Sequence, residues 1–132
     1  MQGTGRCEII VGQGDTALAA GSGSLPVLAT PRLIAMMERA AVMALEGLLE
    51  EGYTSVGVHI QAEHLSATPV GMKAWAVAQL RQAQGRRYTL DLEAHDEAGP
   101  IGRGTHTRVA VEARPFMEKT QNKGRKQEGG EG

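Results

Sequence analysis

Hydrophobic residues recur with a helical period in one long stretch, residues 30–51. At roughly 100° per residue, its apolar side chains share one broad stripe and its charged side chains lie opposite. Thr30 followed by Pro31 is a favoured helix start, with Thr30 as the N-cap, and Gly52 fits the position just after the end. The sequence therefore predicts one long amphipathic helix. Its stripe consists of Leu33, Ile34, Met37, Ala41, Ala44, Leu45 and Leu48.

After residue 52 the pattern changes to a period of two, which is typical of β-strands. Residues 12–29, rich in glycine and serine, are predicted to form mainly a loop. The last strands are joined by short connections, which favour antiparallel pairing. The expected fold class is α+β, with one helix packed on an antiparallel sheet. The predicted strands cover residues 6–11, 54–65, 72–81, 87–95 and 101–111.

Two polar residues interrupt these apolar faces. Glu38 lies at the edge of the helix stripe beside Leu45, and His64 has the same strand parity as Val58. His64 is therefore expected to point toward the helix, whereas His59 has the opposite parity and is expected to face solvent. An unpartnered buried carboxylate is very costly, so Glu38 requires a partner, a proton or a function. One possibility is that Glu38 belongs to a structural ion pair and that His64 is a core histidine with its hydrogen bonds satisfied. The other is that Glu38 and His64 form an acid–base pair.

Thr30 has a structural and a functional interpretation. A threonine N-cap is ordinary helix chemistry, but a helix N-terminus also stabilises an oxyanion or a phosphate. Glu38 lies about two turns further along, roughly 12 Å by helical rise. Thr30 and Glu38 are therefore expected to meet on a substrate that lies along the helix.

The last strand carries His106 and Arg108 on the same face as two glycines, Gly102 and Gly104. This pattern is compatible with a solvated sheet edge. It is equally compatible with close approach of a ligand, where Arg108 would meet a phosphate or a carboxylate.

Residues 12–17 match the glycine pattern of a dinucleotide-binding turn after a short apolar run. A helix should follow that turn, but glycines, serines and Pro26 stand there instead. Dinucleotide binding is therefore the weaker alternative.

Charge and cysteine content narrow the class of protein. The 132 residues include 14 basic and 15 acidic side chains, a formal net charge of −1, which gives no electrostatic basis for nucleic-acid binding. The single cysteine, Cys7, fits a reducing compartment, so a cytoplasmic protein is expected. No apolar run suits a membrane span, and no cluster has metal-ligand spacing.

The scarcity of aromatic side chains and the polar C-terminal segment determine the expected oligomeric state and domain boundary. Aromatic residues make up only 3% of the chain, so the core gains little area per residue and oligomerisation is expected. Residues 117–132 are polar and glycine-rich and are predicted to be disordered, which leaves residues 1–116 as one domain.

Several stretches resemble the hotdog-fold acyl-CoA thioesterases, most of all the fluoroacetyl-CoA thioesterase-like branch. The most specific stretch is EHLSATPVG at residues 63–71, and the resemblance also includes LIAMMERA at 33–40 and SVG at 55–57. It extends over about residues 6–116. The resemblance implies a long helix wrapped by a curved antiparallel sheet. It also implies a homodimer or tetramer that binds acyl-CoA at the dimer interface.

The resemblance implies hydrolysis of a small acyl-CoA thioester to the free acid and CoA, with no cofactor beyond the CoA of the substrate. Thr30, Glu38 and His64 fall on the catalytic positions, with Glu38 as base or nucleophile, and Gly57 and Arg108 fall on the acyl pocket and its edge. The aromatic gate of the fluoroacetyl-CoA enzymes is absent from residues 24–28. A non-catalytic acyl-CoA-binding protein is the alternative, and the signature of hotdog hydratases is absent from the sequence.

Overall fold

The helices and strands follow the predicted order. The computed structural model describes the backbone of residues 2–130 and the side chains of residues 2–125. The elements are β1 (Thr4–Ile10), a 3-10 turn (Gln13–Asp15), α1 (Ala17–Ala20), α2 (Thr30–Ala44), β2 (Tyr53–His64), β3 (Lys73–Gln84), β4 (Arg87–Asp96), β5 (Gly99–Glu112) and α3 (Ala113–Gly130).

The five strands form one antiparallel sheet in the order β1-β3-β4-β5-β2. Helix α2 packs on one face of the sheet, and the core between them consists mainly of alanine, leucine and methionine. Gly5 permits this packing, because a Cβ there would lie 2.0 Å from the carbonyl oxygen of Ala40. The predicted α+β class is confirmed. The antiparallel sheet also has no parallel βαβ unit, so the dinucleotide-binding alternative for residues 12–17 is wrong.

Helix α2 differs from the prediction at both ends. Ala29 is the N-cap, and Thr30 is the first helical residue. The helix ends at Ala44 instead of near Gly52, and the next residues form turns. Gly47 explains the earlier end, because its φ of +81° is the left-handed conformation in which helices commonly terminate.

Strand β2 contains an irregularity that parity counting misses. Its pairing with β5 shifts between Gly57 and His59, so Val58 is an extra residue and its side chain is 51% exposed. A β-bulge of this kind reverses the alternation of faces. As a result His64 does face the helix side, but it shares that side with Gly57 and not with Val58.

The chain after β5 differs from the expected disordered tail. Helix α3 occupies residues 113–130, and its side chains from 114 to 125 are exposed. Strong helix formers such as Glu118, Lys119 and Gln121 favour this helix locally. Residues 131–132 lie outside the described residues, and the domain boundary at 116 stays a prediction. None of the described helices combines the length and apolar character that a membrane crossing requires.

Candidate active site

Thr30 directs its hydroxyl away from its own helix. Because Ala29 provides the N-cap, the side chain of Thr30 is free to reach β2, and its Oγ1 lies 2.7 Å from Nδ1 of His64. This distance is a hydrogen bond between a hydroxyl and an imidazole at the start of a helix. Such a pair is the basic unit of an activated oxygen nucleophile and its base.

His64 is placed to accept a proton. It is the last residue of β2, and its Nε2 is buried without a hydrogen-bond partner in the described residues. Burial lowers the pKa of His64 below its ordinary value of 6.5, and a backbone contact with Ser66 opposes this only in part. The imidazole is therefore mainly neutral at pH 7, which is the form that acts as a general base.

An open cavity of about 290 Å³ adjoins this pair. Thr30 and His64 line it together with small apolar and polar side chains. A larger cavity of about 1000 Å³ is lined, among the residues that the structure describes, by α3, and none of the predicted site residues is part of its lining. The first cavity is therefore the candidate substrate site. Its other lining residues are Ala17, Ser22, Val27, Leu28, Leu65, Ser66 and Ala67.

Glu38 belongs to a second cluster, formed with β5 and the bulge of β2. Its Oε2 lies 3.6 Å from Nη1 of Arg108 and 4.0 Å from Nε2 of His106. The Glu38 side chain is 44% exposed, so its carboxylate is accessible from outside. Gly57 completes the cluster, since a Cβ there would lie 3.0 to 3.3 Å from atoms of all three side chains.

Arg108 is buried, and its guanidinium makes three hydrogen bonds. Its Nε donates to Oγ of Ser55 at 2.8 Å, its Nη2 donates to the Ser55 carbonyl at 2.9 Å, and its Nη1 donates to Nε2 of His106 at 3.1 Å. Burial lowers the pKa of Arg108 from its ordinary value, while the charge of Glu38 acts in the opposite direction. An arginine remains charged under such shifts, so Arg108 places a fixed positive charge beside Glu38.

The structure thus brings the predicted site residues together in two groups. Thr30 meets His64, whereas Glu38 meets Arg108 and Gly57. Among the described residues, no hydrogen bond or ion pair joins Glu38 to His64, so an acid–base pair of the two requires a substrate between them. The catalytic and binding roles of these five residues stay predictions. No group of three or more His, Cys, Asp or Glu suited to a metal ion occurs in the described part of the chain.

Sequence reasoning underestimated two residues of the second cluster. His106 and Arg108 do not lie on a solvated sheet edge, because β5 runs between β4 and β2 and its inner face is covered, and the ligand-binding role of Arg108 stays a prediction. The sequence did indicate a covered face, because the apolar residue Ala110 has the same strand parity as His106 and Arg108 and is also buried. Ser55 offered no signal, because the bulge alone turns it toward Arg108.

Comparisons with known proteins show which family the chain as a whole resembles. The family model described as the fluoroacetyl-CoA-specific thioesterase FlK matches residues 11–114. The fluoroacetyl-CoA thioesterase of Streptantibioticus cattleyicolor is 38% identical over 97 residues, which cover 74% of this chain and 70% of that protein.

Solved structures extend the similarity to the fold. A variant of the fluoroacetyl-CoA-specific thioesterase in complex with fluoroacetate and CoA is 31% identical, with a TM-score of 0.80 over 88% of this chain and 98% of that chain. A hot-dog-like protein from Thermanaerovibrio acidaminovorans is 26% identical, with a TM-score of 0.82 over 91% of this chain and 89% of that chain. The expected hotdog fold is therefore confirmed.

Proposed function

The chain belongs to the fluoroacetyl-CoA-specific thioesterase family and hydrolyses acyl-CoA thioesters, and we propose that Thr30, His64 and Glu38 perform this reaction on a small acyl group. The observation that carries the assignment is the 2.7 Å contact between Oγ1 of Thr30 and Nδ1 of His64 beside an open cavity. The cavity adjoins the N-terminus of α2, where backbone N–H groups of the first turn lack intrahelical partners.

The proposed chemistry uses these groups in sequence. An oxygen nucleophile, either the Thr30 hydroxyl or a water hydrogen-bonded to it, gives its proton to His64 and attacks the thioester carbonyl. The N-terminus of α2 stabilises the oxyanion that forms. The C–S bond then breaks, and the CoA sulfur receives the proton from His64. If Thr30 attacks, water hydrolyses the acyl-threonine in a second, equivalent step.

Glu38 supplies the second ionisable group of the proposal. Its carboxylate is half-exposed and faces the positive charge of Arg108. A substrate that lies along α2 would pass both Thr30 and Glu38. This placement supports Glu38 as base or nucleophile toward the same acyl group.

A thiol-release assay over a panel of acyl-CoAs tests the function directly. Free CoA is measured with a thiol reagent, and multiple turnovers separate it from the single free cysteine of the chain, Cys7. We expect short acyl groups to be hydrolysed faster than long ones. Binding of acyl-CoA with no thiol release would instead identify a non-catalytic acyl-CoA-binding protein.

The proposal includes a homodimer joined along β2. This strand is an edge of the sheet, and edges with unpaired backbone groups are ready to pair with another chain. The bulge exposes Val58 there, and Leu65, just beyond the strand, is also 51% exposed. Light scattering should show a dimer or tetramer. Val58→Lys should shift the population toward monomer, whereas Ile10→Lys on the other edge strand, β1, should not.

Two further features complete the proposal. The proposed reaction uses only side chains and backbone groups of the chain together with water, so no metal or organic cofactor is required, and prolonged dialysis against EDTA should leave thiol release unchanged. Acyl-CoA substrates and the single cysteine support a cytoplasmic location, which fractionation of the native cells would test.

A further inference from the structure

His106 is a buried histidine to which the proposed reaction gives no role. Its side chain lies on the inner face of β5 and is 1% exposed. Both ring nitrogens have partners: Nδ1 lies 2.8 Å from the carbonyl oxygen of His59, and Nε2 lies 3.1 Å from Nη1 of Arg108. A histidine so fully enclosed and bonded is held in one orientation.

These two partners also determine the tautomer of the ring. The carbonyl of His59 can only accept, so Nδ1 carries the hydrogen, and the guanidinium of Arg108 can only donate, so Nε2 offers its lone pair. A proton on Nε2 would place two N–H groups against each other. Burial lowers the pKa of His106 and outweighs the hydrogen bond to the His59 carbonyl and the charge of Glu38, which act in the opposite direction, while the charge of Arg108 adds to the lowering; this agrees with a neutral ring.

The neutral ring fixes where the charge of Arg108 lies. Two contacts with Ser55 hold one side of the guanidinium, and the bond to His106 directs Nη1. Nη1 then lies 3.6 Å from Oε2 of Glu38, which is longer than a charge-assisted hydrogen bond. The positive charge of Arg108 therefore acts on Glu38, while the lone pairs of Oε2 are not used in a hydrogen bond to Arg108.

We propose that His106 is a positioning residue of the thioesterase, which as a neutral hydrogen-bond acceptor holds Arg108 at this distance from Glu38. His106 touches no substrate and acts through Arg108 on the reactivity of Glu38. This inference rests on the proposed function, because it assigns a role within the same site.

Two substitutions of similar size separate this role from a structural one. In His106→Asn the amide nitrogen can still donate to the His59 carbonyl, but the side chain is too short to reach Arg108. In His106→Gln the amide oxygen can take the place of Nε2 and accept from Arg108. The two variants therefore separate the contact with Arg108, which the proposal requires and only the glutamine can make, from the contact with the His59 carbonyl.

Steady-state thiol release and thermal melting of both variants test the proposal. We expect His106→Asn to lower kcat by about 10-fold or more with KM changed by less than about 3-fold, since small misplacements of catalytic groups are costly. His106→Gln should restore most of that lost kcat. Equal losses in both variants, or an unchanged kcat in His106→Asn, would overturn the proposal.

Crystal structures of the two variants give a readout that does not depend on activity. Arg108 should leave its position in His106→Asn and keep it in His106→Gln. An Arg108 that stays in place in both would overturn the positioning role even if the wild type is an active thioesterase. A wild type that releases no thiol, with Arg108 moving as expected, would overturn the proposed function instead.

Discussion

Replacing Gly57 by alanine adds a single methyl group at the centre of the Glu38 cluster. The backbone of Gly57 has no positive φ, so alanine introduces no conformational strain there. The new Cβ would lie 3.0 Å from Cε1 of His106, 3.1 Å from Oε2 of Glu38 and 3.3 Å from Nη1 of Arg108. All three distances are shorter than ordinary van der Waals contact, so each neighbour must shift by a few tenths of an ångström.

The cost of this shift differs between stability and activity. Overpacking typically destabilises by about 1–3 kcal/mol, and we expect roughly 1 kcal/mol because the half-exposed Glu38 can move outward. For a domain of this size that is a decrease in Tm of about 4 °C. The outward movement separates Glu38 from Arg108, and we expect kcat to fall about 10-fold, which corresponds to roughly 1.4 kcal/mol in the activation barrier.

Thiol release and a thermal melt of Gly57→Ala measure the two effects separately. Gly14→Ala is the matched control, because a Cβ at Gly14 would meet nothing within 4 Å and its φ is not positive. The control should retain the wild-type kcat. A Gly57→Ala enzyme with wild-type kcat would refute the claim that the spacing of this cluster matters for the reaction.

Three other predictions concern the groups that act on the substrate. Thr30→Val, which keeps the shape and loses the hydroxyl, should lower kcat by roughly 100-fold, whereas Thr30→Ser should retain most of it; equal rates for both would exclude the hydroxyl from the reaction. Glu38→Gln should lower kcat by about 100-fold or more in the same assay, and near-normal hydrolysis would contradict the role of this carboxylate. Burial lowers the pKa values of His64 and His106 in the folded chain, so the unfolded chain binds more protons below pH 6.5 and stability decreases as pH falls from there. Urea unfolding should therefore give a lower free energy of unfolding at pH 5 than at pH 7.5, whereas kcat/KM should fall with His64 protonation at a pH below the ordinary histidine value of 6.5; a stability that rises toward pH 5 would contradict these shifts.

Local patterns in the chain were sufficient to predict α2 and the five strands, but not α1 or α3. A helical period identified α2, and alternation identified the strands in their observed order. Those patterns also marked Glu38, because it interrupts an apolar stripe, and His64, because it is a polar residue at an apolar parity of its strand. Local patterns can identify such residues because the periods of a helix and of a strand depend only on consecutive residues.

Contacts between distant segments decided the site itself. The N-cap at Ala29 left the Thr30 hydroxyl free for His64, although local sequence favours Thr30 as the cap. The bulge at Val58 arises from pairing between β2 and β5, and it turns Ser55 and Gly57 toward the helix. No count along β2 alone could reveal that reversal.

The sequence by itself therefore determined the presence of α2 and of the five strands, and which residues carry reactive groups. Only the tertiary structure decided which of those groups meet. Because β5 runs between β4 and β2, His106 and Arg108 are enclosed beside Glu38, and His64 pairs with Thr30. Strand order and register depend on packing over the whole sheet, and that packing selects one arrangement among many that share the same local periods.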